Sequence, residues 1–115
     1  MELEGQVAIV TGAGRGIERA TALELARLGA DIVVAELDRA NAERTAAEVQ
    51  ELGRRASVVP TDVTSRADLA LMVERTRADF GRIDVLVNNA GIYRAALPIE
   101  ITEEHWDAVM NRVVP

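Results

Sequence analysis

The sequence predicts an α/β protein, half of a doubly wound parallel sheet with helices on both faces, and three observations carry that expectation. Short apolar runs of strand length alternate with stretches of helical periodicity. Three of the helix-like stretches end in a glycine, Gly29, Gly53 and Gly81, where a left-handed residue closes a helix. The first apolar run passes directly into a loop holding Gly12, Gly14 and Gly16. Strands separated by helices of this length require right-handed crossovers, which leave the strands parallel.

Taken in order, the first strand is expected at Val7–Val10. The first helix runs from about Gly16 to Leu28 and is apolar nearly all round, as suits a helix wedged close to a sheet. Ile32–Ala35 forms the second strand. A second helix starts at Asp38 and buries Ala42, Ala46 and Val49 before Gly53 closes it. Ser57–Val59 is the third strand. Ser65 with Asp68 resembles a capping box opening a third helix. Leu69, Met72, Val73, Thr76 and Phe80 of that helix share one face. Val85–Val87 is the fourth strand, and a fourth helix is expected from about Thr102. Glu103 and Glu104 sit in its first turn, where carboxylates suit the positive dipole end. Trp106, Val109, Met110 and Val113 form its buried stripe. No repeat, low-complexity tract or linker interrupts the pattern, so residues 1–115 read as one domain.

Composition narrows the function classes. The chain is 49% hydrophobic and 28% charged, the balance of a folded soluble domain. No apolar run approaches the ~20 residues of a membrane span. Apolar and acidic residues alternate from Met1, which is unlike a cleavable signal. Cysteine is absent, which excludes disulfide and thiolate chemistry and makes a cytoplasmic location the expectation. A net charge of −6 argues against a nucleic-acid partner. All 13 basic residues are arginine, and there is no lysine.

Thr11-Gly12-Ala13-Gly14-Arg15-Gly16-Ile17 lies between the first strand and the first helix. Such a loop lets backbone N–H groups approach a pyrophosphate, and the helix N-terminus adds partial positive charge. An acidic residue, Glu36, closes the second strand 20 residues beyond Gly16. A carboxylate there can accept hydrogen bonds from ribose hydroxyls. The plain alternative is a tight strand–helix turn followed by a solvated acid.

Three motifs in order carry a resemblance. They are Thr11-Gly12-x-x-x-Gly16-Ile17, Asp62-Val63 after the third strand, and Asn88-Asn89-Ala90-Gly91 after the fourth. Together they resemble the short-chain dehydrogenase/reductase family along essentially the whole chain. The resemblance implies a Rossmann-type dinucleotide-binding half with strand order 3-2-1-4 and an NAD(P)-dependent oxidoreductase function. It implies that the glycine loop, Gly12 to Ile17 with Arg15, holds the dinucleotide, and that Asp62 and Val63 contact the adenine. It also implies that Asn89, Ala90 and Gly91 border the cofactor and brace the sheet. Asn88 and Asn89 read equally as a polar strand end that bonds its own backbone. Glu36 would repel a 2′-phosphate, so NAD is expected over NADP. Arg15 or Arg39 would favour the phosphate if either reached it; Arg39 also reads as a solvated helix residue.

Departures from the family are informative. Members carry glycine where this chain has Glu18. Glutamate there adds bulk, and at ~6 Å and an effective dielectric near ~20 would repel each phosphate charge by about 3 kcal/mol. Bending into solvent would reduce this below ~1 kcal/mol. The family's reaction uses a tyrosine, a lysine four residues later and a serine. Here the one tyrosine, Tyr93, is followed four residues on by Leu97. The two serines, Ser57 and Ser65, are already assigned as a strand residue and a helix cap. The family's catalytic asparagine should fall near Val113, and Asn111, two residues early, would point about 200° away on a helix. His105 has no acid-plus-nucleophile grouping beside it. No catalytic or metal-ligating residue is therefore expected in these residues.

Three readings follow: a dinucleotide-binding half of a longer NAD(P)-dependent oxidoreductase, a degenerate nucleotide-binding or assembly module, or an enzyme completed by another chain. The tail Arg112–Pro115 resembles nothing in the family, and the architecture is expected to stop midway. A homodimer is expected as well. The fourth strand would present a free apolar edge, and the fourth helix would leave its stripe uncovered.

Overall fold

Alternation along the strands divides the core in two. The computed structural model describes residues 2–88 and, as backbone, 91–97. Its elements run β1 (Val7–Thr11), α1 (Gly16–Arg27), β2 (Asp31–Ala35), α2 (Arg39–Glu51), β3 (Ala56–Val59), α3 (Arg66–Phe80), β4 (Ile83–Asn88) and β5 (Gly91–Leu97). β1 pairs in parallel with both β2 and β4, and β2 with β3. The parallel strands therefore lie in the expected order, 3-2-1-4. Ala8, Val10, Ile32, Val34, Val85 and Val87 pack with Ala22 and Ala26 of α1 and with Ala42, Ala46 and Val49 of α2. Their neighbours Val7, Ile9, Val33, Ala35, Ile83 and Leu86 pack on the other face against Leu69, Met72 and Val73 of α3. Burial on both faces is why these strands read as unbroken apolar runs instead of alternating ones.

The helix starts follow local chemistry. Asp38 caps α2 by accepting the Asn41 N–H at 3.1 Å, and Ser65 caps α3 by accepting the Asp68 N–H at 3.2 Å. The second half of the expected capping box is absent. The Asp68 carboxylate instead accepts the Asp62 N–H at 2.8 Å, which ties the loop after β3 to the start of α3. Gly29 closes α1 at φ 107°, and a Cβ there would lie 3.0 Å from the backbone of Glu4. Only glycine lets the N-terminal segment pass that close.

Two expectations are corrected. α1 is not apolar all round: Ala22 and Ala26 alone are fully buried, and Arg19 reaches across to pair with Glu48 of α2. Ala22 and Ala26 bring this helix close to the sheet, and Leu23 and Leu25 pack partly buried against the same core. The edge of β4 is also not free. β5 pairs with it antiparallel, matching Asn88 with Gly91, Val87 with Ile92, Leu86 with Tyr93 and Val85 with Arg94. The sequence reading counted only parallel partners, whereas a segment adjacent in the chain reaches the edge with little loop entropy. The fourth helix expected from Thr102, with Trp106, Val109, Met110 and Val113, lies outside the described residues, as do Asn89 and Ala90.

Candidate cofactor site

All parallel strands end on one side of the sheet, so the segments that follow them converge there. β1 leads into the loop of residues 12–16, β2 into Glu36 and β3 into residues 61–63, and β4 ends at Asn88. β1 lies between β2 and β4, which is where the chain reverses its direction of winding. Ligands of open α/β sheets bind at such switch points. Three long-range bonds shape the loop: Gly12 N–H to Ala35 O at 2.8 Å, Thr45 Oγ1 to Ala13 O at 2.9 Å, and Thr11 Oγ1 to Val87 O at 3.3 Å. Thr45 is fully buried, so its hydroxyl anchors the loop from below, out of reach of water.

Gly12 and Gly16 adopt φ 68° and 67°, a region glycine enters without steric penalty. A Cβ at Gly12 would meet only the Glu18 Cγ, at 3.9 Å, and one at Gly16 only the Glu18 Oε2, at 3.7 Å. The loop thus has an open flank at the start of α1, the arrangement a dinucleotide phosphate requires, and Glu18 is what overhangs it. The Glu18 side chain lies over the loop and not away from it. Ile17 is 80% exposed beside it, and Arg15 is exposed too.

Glu36 is held by backbone donors. Its Oε1 accepts the Gly14 N–H at 3.2 Å, and its Oε2 accepts the N–H groups of Leu37 at 2.7 Å and Asp38 at 3.3 Å. Arg39 pairs with Glu43 at 3.1 Å along the exposed side of α2, as a solvated helix residue would. Asp62 accepts both the hydroxyl of Thr64 at 2.6 Å and its N–H at 2.9 Å. Those two hydrogen bonds hold its carboxyl below the usual carboxylate range. Val63 is half-buried next to it. The structure therefore brings Gly12, Gly14, Arg15, Gly16, Ile17, Glu36, Asp62 and Val63 to one edge of the sheet. Gly91 follows as the first residue of β5.

The sequence reading missed the groups that brace this edge. Thr45 ties the loop to α2 through the Ala13 carbonyl, and Thr11 ties the end of β1 to β4 through the Val87 carbonyl. A threonine inside an apolar helix stripe, as Thr45 is, was the available signal. Among the described residues no group of His, Cys, Asp or Glu could hold a metal, and no helix is long and apolar enough to cross a membrane.

A parallel sheet of this order with a glycine loop at its carboxyl edge defines a Rossmann-type nucleotide-binding fold. Residues 6–114 match the short chain dehydrogenase family, and the chain belongs to that family. It is 41% identical to 3-oxoacyl-(acyl-carrier-protein) reductase of Thermotoga maritima over 96% of its own length and 45% of the relative's. To 2-dehydro-3-deoxy-D-gluconate 5-dehydrogenase of Dickeya dadantii it is 39% identical, over 95% of this chain and 42% of the relative. A solved hydroxysteroid dehydrogenase from Escherichia coli superposes with a TM-score of 0.74 at 38% identity, covering 78% of this chain and 38% of that one. A 7α-hydroxysteroid dehydrogenase solved with NADH and 7-oxo glycochenodeoxycholic acid gives the same TM-score of 0.74. The chain spans less than half the length of these relatives. Members of the family bind NAD(H) or NADP(H).

Proposed function

We propose that these 115 residues form the dinucleotide-binding half of an NAD(P)-dependent oxidoreductase, with NAD as the preferred cofactor. The observation that supports it most is the convergence of the glycine loop, Glu36 and Asp62 at the carboxyl ends of three neighbouring parallel strands. In this reading Gly12, Gly14, Arg15, Gly16 and Ile17 receive the pyrophosphate side, Glu36 the adenosine ribose, and Asp62 with Val63 the adenine. Asn89, Ala90 and Gly91 border the cofactor and brace the sheet. The cofactor supplies hydride transfer when bound; the chain supplies its seat. NAD follows from Glu36, whose negative charge faces the place a 2′-phosphate would occupy. Calorimetric titration with NAD, NADH and NADPH tests the reading, and the two NAD forms should bind more tightly. Equal or tighter NADPH binding overturns the NAD preference, and no binding of any overturns the seat.

Glu18 favours a second reading, a degenerate nucleotide-binding or assembly module, because its side chain overhangs the phosphate flank. Glu18→Gly should tighten NAD binding roughly tenfold, about 1.4 kcal/mol. Overlaying titrations of the two proteins would show that the glutamate swings aside without consequence.

Self-association stays a proposal, and with the β4 edge paired it rests only on the fourth helix that the sequence predicts. If Trp106, Val109 and Met110 form the stripe expected there, leaving them wet would forfeit about 1.5–3 kcal/mol for each side chain. Sedimentation over a concentration series should show a homodimer; a single species at 12.4 kDa at high micromolar concentration would refute it.

A further inference from the structure

We propose that Gly14 is a positioning residue for Glu36, and that its missing side chain sets the preference for a free ribose over a phosphorylated one. The inference rests on the dinucleotide reading above and adds a residue to it. Gly14 does not have a left-handed backbone, so conformational freedom does not explain a glycine here. Space does. A Cβ at this position would lie 2.5 Å from the Glu36 Oε1, 2.8 Å from its Cγ and 2.8 Å from the Asn41 Cβ. No real Cβ sits that close, so any side chain drives the glutamate out of its seat.

What the seat does follows from counting acceptor sites. A carboxylate offers about four. The Gly14, Leu37 and Asp38 N–H groups occupy three, two on Oε2 and one on Oε1. The site left is on Oε1, so a hydroxyl donor is recognised at one oxygen of a carboxylate that cannot turn. The direction is set by these bonds before any ligand arrives, and pre-organisation of this kind removes an ordering penalty from binding. A phosphate, which has no proton to offer near neutral pH, meets the same carboxylate as repulsion. A displaced Glu36 would rotate into solvent and relax for either nucleotide.

The test combines nucleotide titrations with amide hydrogen exchange on the full chain. In Gly14→Ala, NAD affinity should fall about tenfold while NADPH affinity holds or rises, so that selectivity collapses. Glu36→Ala should do the same, and the double variant should be no worse than Glu36→Ala. Additive losses would overturn the proposal, because they would trace the effect to the Asn41 contact and a shifted α2. Unchanged selectivity in Gly14→Ala would overturn it as well. Should Gly14→Ala fail to fold, exchange at the Gly14 amide decides: protection in the parent chain, lost at least tenfold in Glu36→Ala, upholds the clamp, and equal exchange refutes it. A parent chain that binds neither nucleotide sinks the dinucleotide reading and the selectivity arm with it. The exchange arm still reports whether Gly14 holds Glu36.

Discussion

The purified 115-residue chain is expected to oxidise no NADH with a panel of ketones or aldehydes above a protein-free blank. The family's chemistry needs a proton donor with a lysine one helical turn away to lower its pKa. There is no lysine among these residues, and the one tyrosine, Tyr93, lies in β5 opposite Leu86. Four residues along a helix bring two side chains within about 6 Å. Along a strand the same spacing separates them by about 13 Å. Tyr93 and the residue four positions on are therefore too far apart for that partnership, whatever occupies the second position. A seated nicotinamide without a placed acid forgoes the ~10²–10⁴-fold of general acid–base catalysis. Measurable turnover would show that a proton reaches the substrate by another route, and Tyr93→Phe would then say whether that route is the phenol.

How much of this was legible beforehand depended on sequence distance. Asp38, Ser65 and Gly29 announce helix ends because capping acts over three or four residues, and the chain uses all three as read. The strand order was readable through the family motifs. The bonds that fix the site were not. Thr45 to Ala13 spans 32 positions and Gly14 to Glu36 spans 22, and nothing local marks either pairing. Glu18 stands out in the sequence as a departure from the family, but its direction rests on a rotamer that periodicity does not encode. β5 escaped notice because Ile92 to Leu97 alternates too weakly to read as a strand, and its partner edge was assigned to absent neighbours.

The largest stability effect is expected at Asp31, far from the cofactor edge. This carboxylate opens β2 with a side chain only 3% exposed. It accepts the Arg55 N–H at 3.0 Å, the Arg55 Nε at 3.1 Å and Nη2 at 2.8 Å, and the Arg54 Nη2 at 3.2 Å. Arg55 is further held over the Phe80 ring at 4.8 Å from its centroid. Burial by itself pushes the Asp31 carboxyl up. The Arg55 N–H, the Arg55 guanidinium and the Arg54 charge outweigh it, and the net position is below the usual carboxylate range. A carboxylate lowered in the folded state contributes stability that is complete above its unfolded pKa, near ~3.9. That contribution fades as pH falls through the lower, folded value. Asp31→Asn keeps the shape, removes the charge and leaves two guanidinium groups facing an amide. Because the arginines left behind are partly solvated, with Arg55 66% exposed and Arg54 19%, the loss is that of charge-assisted hydrogen bonds, about 2 kcal/mol near neutral pH. For a domain of this size that is roughly 7 °C in melting temperature. Denaturant melts of both proteins at neutral pH and again well below pH 4 check the sign as well as the size. The two curves should stand apart at neutral pH and draw together as acid titrates the parent's Asp31. Curves separated by less than about 0.5 kcal/mol at neutral pH, the range of an ordinary surface substitution, would mean that solvent, together with Glu4 (which pairs with Arg54 at 3.4 Å), holds the arginines in place of Asp31.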